Sequence, residues 1–142
     1  MYSVLLLVTL CATTTLAYPD GAPTDACATL TPQHEEHTRQ TTAAPFIMTT
    51  DADNYVPGSA VTITIENAEK NSDNRFKGFV VVARQVGSND NEGEFAPSDD
   101  NAKTIDCQAT ADAITHTNPE DKSAVSFLWQ PAENFRGSVI FT

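Results

Sequence analysis

The side chains able to do chemistry in this sequence fall into four groups. His34 and His37 flank Glu35 and Glu36, and His116 follows far downstream. Two imidazoles at that spacing make a weak zinc site without further ligands, and the arrangement is not the His-Glu-x-x-His of zinc proteases. The run Asp-Ala-Asp-Asn-Tyr from Asp51 opens like a calcium loop, but Val56 stands at the sixth position and Thr62 at the twelfth. Both stretches read as solvated polar loops, so no metal and no cofactor is expected. His116, in Ile-Thr-His-Thr, reads as a structural residue hydrogen-bonded at a strand end.

Acid–base catalysis needs a carboxyl whose pKa burial has raised. Asp90, Glu92, Glu94, Asp99 and Asp100 instead crowd one polar loop. No Gly-x-Ser-x-Gly elbow occurs, and a cysteine nucleophile needs a free thiol. No residue is assigned a catalytic role, and the protein is not expected to be an enzyme.

The cations are the last group. Arg75, Lys77 and Arg84 are three of only eight Lys and Arg residues, and all lie within Asn74–Gly87, Asn-Arg-Phe-Lys-Gly-Phe-Val-Val-Val-Ala-Arg-Gln-Val-Gly. The centre of this run is apolar on both faces, as in a strand covered on both sides. Its charges sit at the ends, with Arg84 about 20 Å beyond the other two on strand rise. Arg75 and Lys77 are therefore the candidate ligand contacts, on a strand whose first role is the core. Gly78 would permit a bulge or a close approach.

The elements that must position these groups begin after residue 17. Residues 1–17, with their apolar centre and the Thr15-Leu16-Ala17 ending, read as a signal peptide, too short to span a membrane. Its removal leaves one domain, residues 18–142, and places the protein outside the cell. Cys11 leaves with the leader; Cys27 and Cys107 remain in an oxidising compartment, where two cysteines most often pair. A bridge closing that loop would be worth about 4 kcal/mol; free or intermolecular thiols are the alternative. The formal charge of −11 repels phosphate backbones and anionic membranes, so nucleic acid is not an expected partner.

No window of helical length carries apolar residues at three-four spacing. The clearest pattern is Val61, Ile63 and Ile65 alternating with Thr62, Thr64 and Glu66. Val125, Phe127 and Trp129 alternate in the same way, and Trp129 is expected in the core. Pro57-Gly58 suits a type II turn. Gly87–Lys103 reads as a long acidic loop anchored by Phe95, Thr104–Ala109 as a strand carrying Cys107, and Tyr18–Cys27 as irregular chain. About seven to nine short strands and little helix predict an all-β, immunoglobulin-like antiparallel sandwich. The chain stops within the apolar run Ser-Val-Ile-Phe-Thr, as a truncated strand would.

Several short motifs occur together and in order. They are Cys27, Thr31-Pro32-x-His34, Ala44-Pro45-Phe46, Tyr55-x-Pro57-Gly58, Phe76-Lys77-Gly78-Phe79 followed by Ala83-Arg84, Cys107, Ile114–Thr117 and Phe127-x-Trp129-x-Pro131. The series resembles the reeler (reelin N-terminal) domain family, in particular the small secreted insect defence proteins, including the nodule-forming type. The resemblance implies an immunoglobulin-like sandwich, a Cys27–Cys107 bridge and a non-catalytic role in innate immunity. The expected partners are microbial surface glycans or lipoglycans, with blood cells as further partners. An extracellular adhesion or matrix module that binds host proteins is the alternative.

Overall fold

The computed structural model describes residues 18–32 and 40–142. The expected signal peptide and the His34–His37 pair lie outside the described residues. A short helix α1 (Ala26–Thr29) precedes eight strands: β1 (Phe46–Thr50), β2 (Val61–Asn67), β3 (Val80–Gln85), β4 (Glu94–Pro97), β5 (Ala102–Ile105), β6 (Ala113–His116), β7 (Ala124–Gln130) and β8 (Val139–Phe141). They form two four-stranded antiparallel sheets, ordered β1-β2-β7-β4 and β5-β6-β3-β8. The all-β sandwich anticipated from strand periodicity is the fold.

Periodicity explains the centre of the first sheet. Val61, Ile63 and Ile65 of β2 point inward beside Val125, Phe127 and Trp129 of β7, and these two strands pair Ile63 with Phe127. The opposite face carries polar partners, with Thr64 Oγ1 and Ser126 Oγ 2.8 Å apart. From the second sheet, Val81, Ala83 and Ile114 close the core. Phe79 stacks on Phe127 at 5.9 Å, and Phe95 meets Phe127 edge-on.

The second sheet is covered on its outer side as well, which is why all four residues of β6 are buried. The segment before α1 lies across it: Ala22 N donates to Thr115 Oγ1 at 2.9 Å. Helix α1 packs on β3 through Cys27, whose Sγ is bonded to Cys107 with Cα atoms 5.9 Å apart. Arg84 donates from Nη2 to the Cys27 carbonyl at 2.8 Å. Val82, on that outer face, is therefore fully buried. The double-sided apolar pattern of Asn74–Gly87 has this cause.

Four local expectations are corrected. The strand in Asn74–Gly87 covers only Val80–Gln85, because the chain before it makes a single bridge, Phe76 to Lys122, rather than a ladder. The acidic loop contains β4, which pairs with β7 through its backbone and buries Phe95 while Glu94 and Ala96 face out. Cys107 lies just past β5 in the turn leading to β6. Chain Tyr18–Cys27 is irregular only as far as the start of α1.

Two buried charges pin the turns. Asp112, 1% exposed, accepts hydrogen bonds from the backbone N–H groups of Cys107, Gln108 and Ala109 and from Asn91 Nδ2. Burial alone would raise its carboxyl pKa; the donors more than reverse this and hold it below the ordinary value. Lys122, 5% exposed, directs Nζ at the carbonyls of Lys77, Asn118 and Glu120 and at Asn118 Oδ1, all at 2.9–3.0 Å. Burial lowers its ammonium pKa, against the opposing charges of Glu120, Asp121 and Asp99.

Candidate ligand-binding site

The two cations singled out by sequence lie on the segment leading into β3. Arg75 and Lys77 are both exposed. Lys77 Nζ stands 3.9 Å from Asp121 Oδ1, with both side chains well solvated, so the pair adds little to stability. Beneath them, Lys122 is enclosed by oxygens and presents no charge to a ligand. Arg84 does not join this edge; its guanidinium holds α1 against β3. The edge carries two exposed cations, with a carboxylate facing one of them.

A second surface lies at the end of the sandwich where the β1–β2 loop, residues 51–60, meets the β7–β8 loop, residues 131–138. Tyr55 joins them. Its hydroxyl donates to the Gly137 carbonyl at 3.0 Å and accepts from Gly137 N at 3.1 Å. Its ring stacks on Phe135 at 5.8 Å and meets Trp129 edge-on at 5.7 Å. Trp129 is fixed in turn, donating from Nε1 to the Glu92 carbonyl at 2.8 Å and packing edge-on against Phe141. The first loop is folded by its own sequence: Ser59 N donates to the Val56 carbonyl, and Gly58 takes φ +78° as the expected type II turn requires.

Between the loops runs an open groove of about 680 Å³, within the range of pockets that hold small ligands. The half-buried rings of Tyr55 and Phe141 give it apolar walls over the buried Trp129, while Asp53, Asn54 and Arg136 line it with polar groups. Arg136 uses Nη1 to hold the carbonyls of Glu133 and Phe135, at 3.0 and 2.7 Å. Among the described residues, the side chains of Asp53 and Asn54 form no hydrogen bond or ion pair, and no carboxylate pairs with Arg136.

The other residues named from sequence take structural places. Asp51, first residue of the calcium-like run, accepts from Thr62 N through Oδ1 at 2.9 Å and closes the β1–β2 loop. Among the described residues, no group of three or more His, Cys, Asp or Glu is placed to hold a metal. His116 takes a hydrogen bond from Phe79 N at Nδ1 and faces the Tyr18 carbonyl with Nε2, both at 3.2 Å. A Cβ on Gly78 would come within 2.8 Å of that imidazole, so the close approach foreseen at this glycine is real. Asp90 accepts from Ser88 Oγ, and Glu92 supports Trp129 and Ala132.

The groove was not legible in the sequence. Tyr55 and Gly137 are 82 residues apart, and neither type is diagnostic alone. The one available signal was Tyr55-x-Pro57-Gly58: a turn motif opened by an aromatic residue with no strand partner needs an anchor elsewhere.

With the fold and this geometry in hand, the chain's relationships are unambiguous. It matches the Reeler domain family over residues 25–142 and belongs to that family, which is a non-enzymatic one. Two relatives named for a role in defence are similar along most of its length. The one from Bombyx mori is 36% identical over 126 residues, covering 85% of this chain and 71% of its own. The one from Antheraea mylitta is 33% identical over 141 residues, covering 99% and 83%. The reeler domain of human F-spondin (fragment 1) has the same fold, with a TM-score of 0.61 at 21% identity over 76% of this chain and 79% of that one.

Proposed function

We propose that this chain is a secreted defence protein that acts without catalysis, as a binding module for microbial surface glycans or lipoglycans. The observation that carries the reading is its likeness, along nearly its whole length, to relatives named for defence. The Cys27–Cys107 bridge suits an oxidising, extracellular compartment. No helix among the described residues is long and apolar enough to cross a membrane. With a net charge of −11 and no amphipathic cationic helix among those residues, killing by membrane insertion is disfavoured, and recognition is the better mechanism.

The test is a sedimentation assay. Purified protein is mixed with washed bacteria, and in parallel with immobilised lipopolysaccharide, lipoteichoic acid and glucan. Retention on at least one is the expected result. Absence from all of them would leave no basis for microbial recognition and would favour a module that binds host proteins. Induction of expression by microbial challenge is the accompanying observation.

A further inference from the structure

We propose that the groove between the β1–β2 and β7–β8 loops is the saccharide site of this protein, and that it takes an uncharged sugar chain rather than an anionic one. The inference deepens the recognition reading above and rests on it.

The first argument is rigidity. A binding surface made of loops gains affinity when its shape exists before the ligand arrives. Here the Tyr55 hydroxyl is bonded in both directions to Gly137, its ring is held by Phe135 and Trp129, and Trp129 is itself anchored to Glu92. The backbone around Arg75 and Lys77 is tied to Lys122, but their exposed side chains have no such bracing.

The second argument is hydrogen-bond complementarity. A sugar hydroxyl both donates and accepts, so its receptor must offer both functions. Asp53 is an acceptor, Arg136 a donor with Nη2 and Nε left over after Nη1 binds two carbonyls, and Asn54 offers both. The partly exposed rings of Tyr55 and Phe141 suit the apolar C–H faces of pyranose rings, and the open form lets a chain continue past the groove.

The third argument is charge. Asp53 and Arg136 face the same groove and offset each other, while the molecule around them carries −11. A phosphate or carboxylate polymer entering it would meet one cation and one anion on the lining, in a repulsive field. An uncharged chain meets no such opposition.

The test uses the purified chain and β-linked hexaoses of glucose, mannose and N-acetylglucosamine, with dextran sulfate as the anionic probe, in calorimetric titrations. At least one hexaose should bind, with affinity unchanged between low salt and 0.5 M salt. Asp53→Ala and Asn54→Ala should each weaken that binding about tenfold, with the melting temperature unmoved. Arg136→Lys should weaken it by a similar factor; it keeps the charge but not the fork. The Arg75→Ala/Lys77→Ala double variant should bind the hexaose as the unaltered protein does.

The proposal is overturned if no hexaose binds, or if Asp53→Ala and Asn54→Ala bind as tightly as the unaltered chain. Tighter binding of dextran sulfate through Arg136 overturns the preference for an uncharged chain. Failure of the site and failure of the function are separable: protein that still sediments with bacteria while no hexaose binds keeps its defence role and loses this groove.

Discussion

The two ends of this sandwich present opposite solutions to holding a polar surface. At the edge before β3, Arg75 and Lys77 stand exposed on a segment joined to its neighbour by one bridge, and the rigid element is the buried Lys122 below. At the groove, charge is balanced and sparse, but Tyr55, Phe135 and Trp129 lock two loops together. Charge density is conspicuous in a sequence; bracing is conspicuous only in three dimensions. A surface that recognises one ligand geometry needs the second more than the first.

The largest effect belongs to Trp129→Ala. Emptying a fully buried indole site should cost about 3–5 kcal/mol, read as a lower urea midpoint, and both groove loops should lose protection from hydrogen exchange. If only global stability falls and the loops keep their protection, the groove is braced by something other than Trp129. Next, Lys122→Ala should cost about 2 kcal/mol, because three carbonyls lose a charged donor. Hydrogen exchange should rise around Phe76 and Asn118 and stay unchanged at Tyr55. Rises at both ends would erase the distinction between them.

Asp112 gives a measure of stability outside both regions. Its folded pKa is depressed, so its contribution is complete above the unfolded value of about 4 and is lost as pH falls through the folded value. Urea midpoints measured from pH 6 down to pH 2 should therefore fall, and Asp112→Asn should lower the pH 6 value and flatten the acid limb. Tyr55→Phe keeps the stack and removes both hydroxyl bonds, so a loss of about 1 kcal/mol is expected, with weaker saccharide binding. The smallest effect on folding belongs to Arg75→Ala/Lys77→Ala, within about 0.5 kcal/mol of the unaltered chain. Retention on lipopolysaccharide or lipoteichoic acid should fall in that variant. Unchanged retention would mean these cations are only the solvated approach to a core strand.

Strand periodicity in Val61–Asn67 and Ala124–Gln130 was enough to place β2 and β7, because side chains alternate faces whatever the partner strand. The same rule failed for β4. Glu94-Phe95-Ala96-Pro97 is acidic and proline-terminated, and it is a strand only because β7 offers an unpaired backbone edge. The run Asn74–Gly87 was legible as core, its second covering layer being the segment around α1, but not in extent, since Phe76 makes one bridge to Lys122 rather than a ladder.

Composition, cysteine content and local alternation by themselves determined an acidic, all-β domain with reeler motifs in order. These are properties of neighbouring residues, and neighbours are what a sequence lists. Tertiary structure decided which charges are free and which are internal. It turned Lys122 and Arg84 into struts, left Arg75 and Lys77 in water, and set Asp53, Asn54 and Arg136 around one groove. The reason is physical: a charge's role follows from its burial and partners, and both are fixed by chain segments tens of residues away.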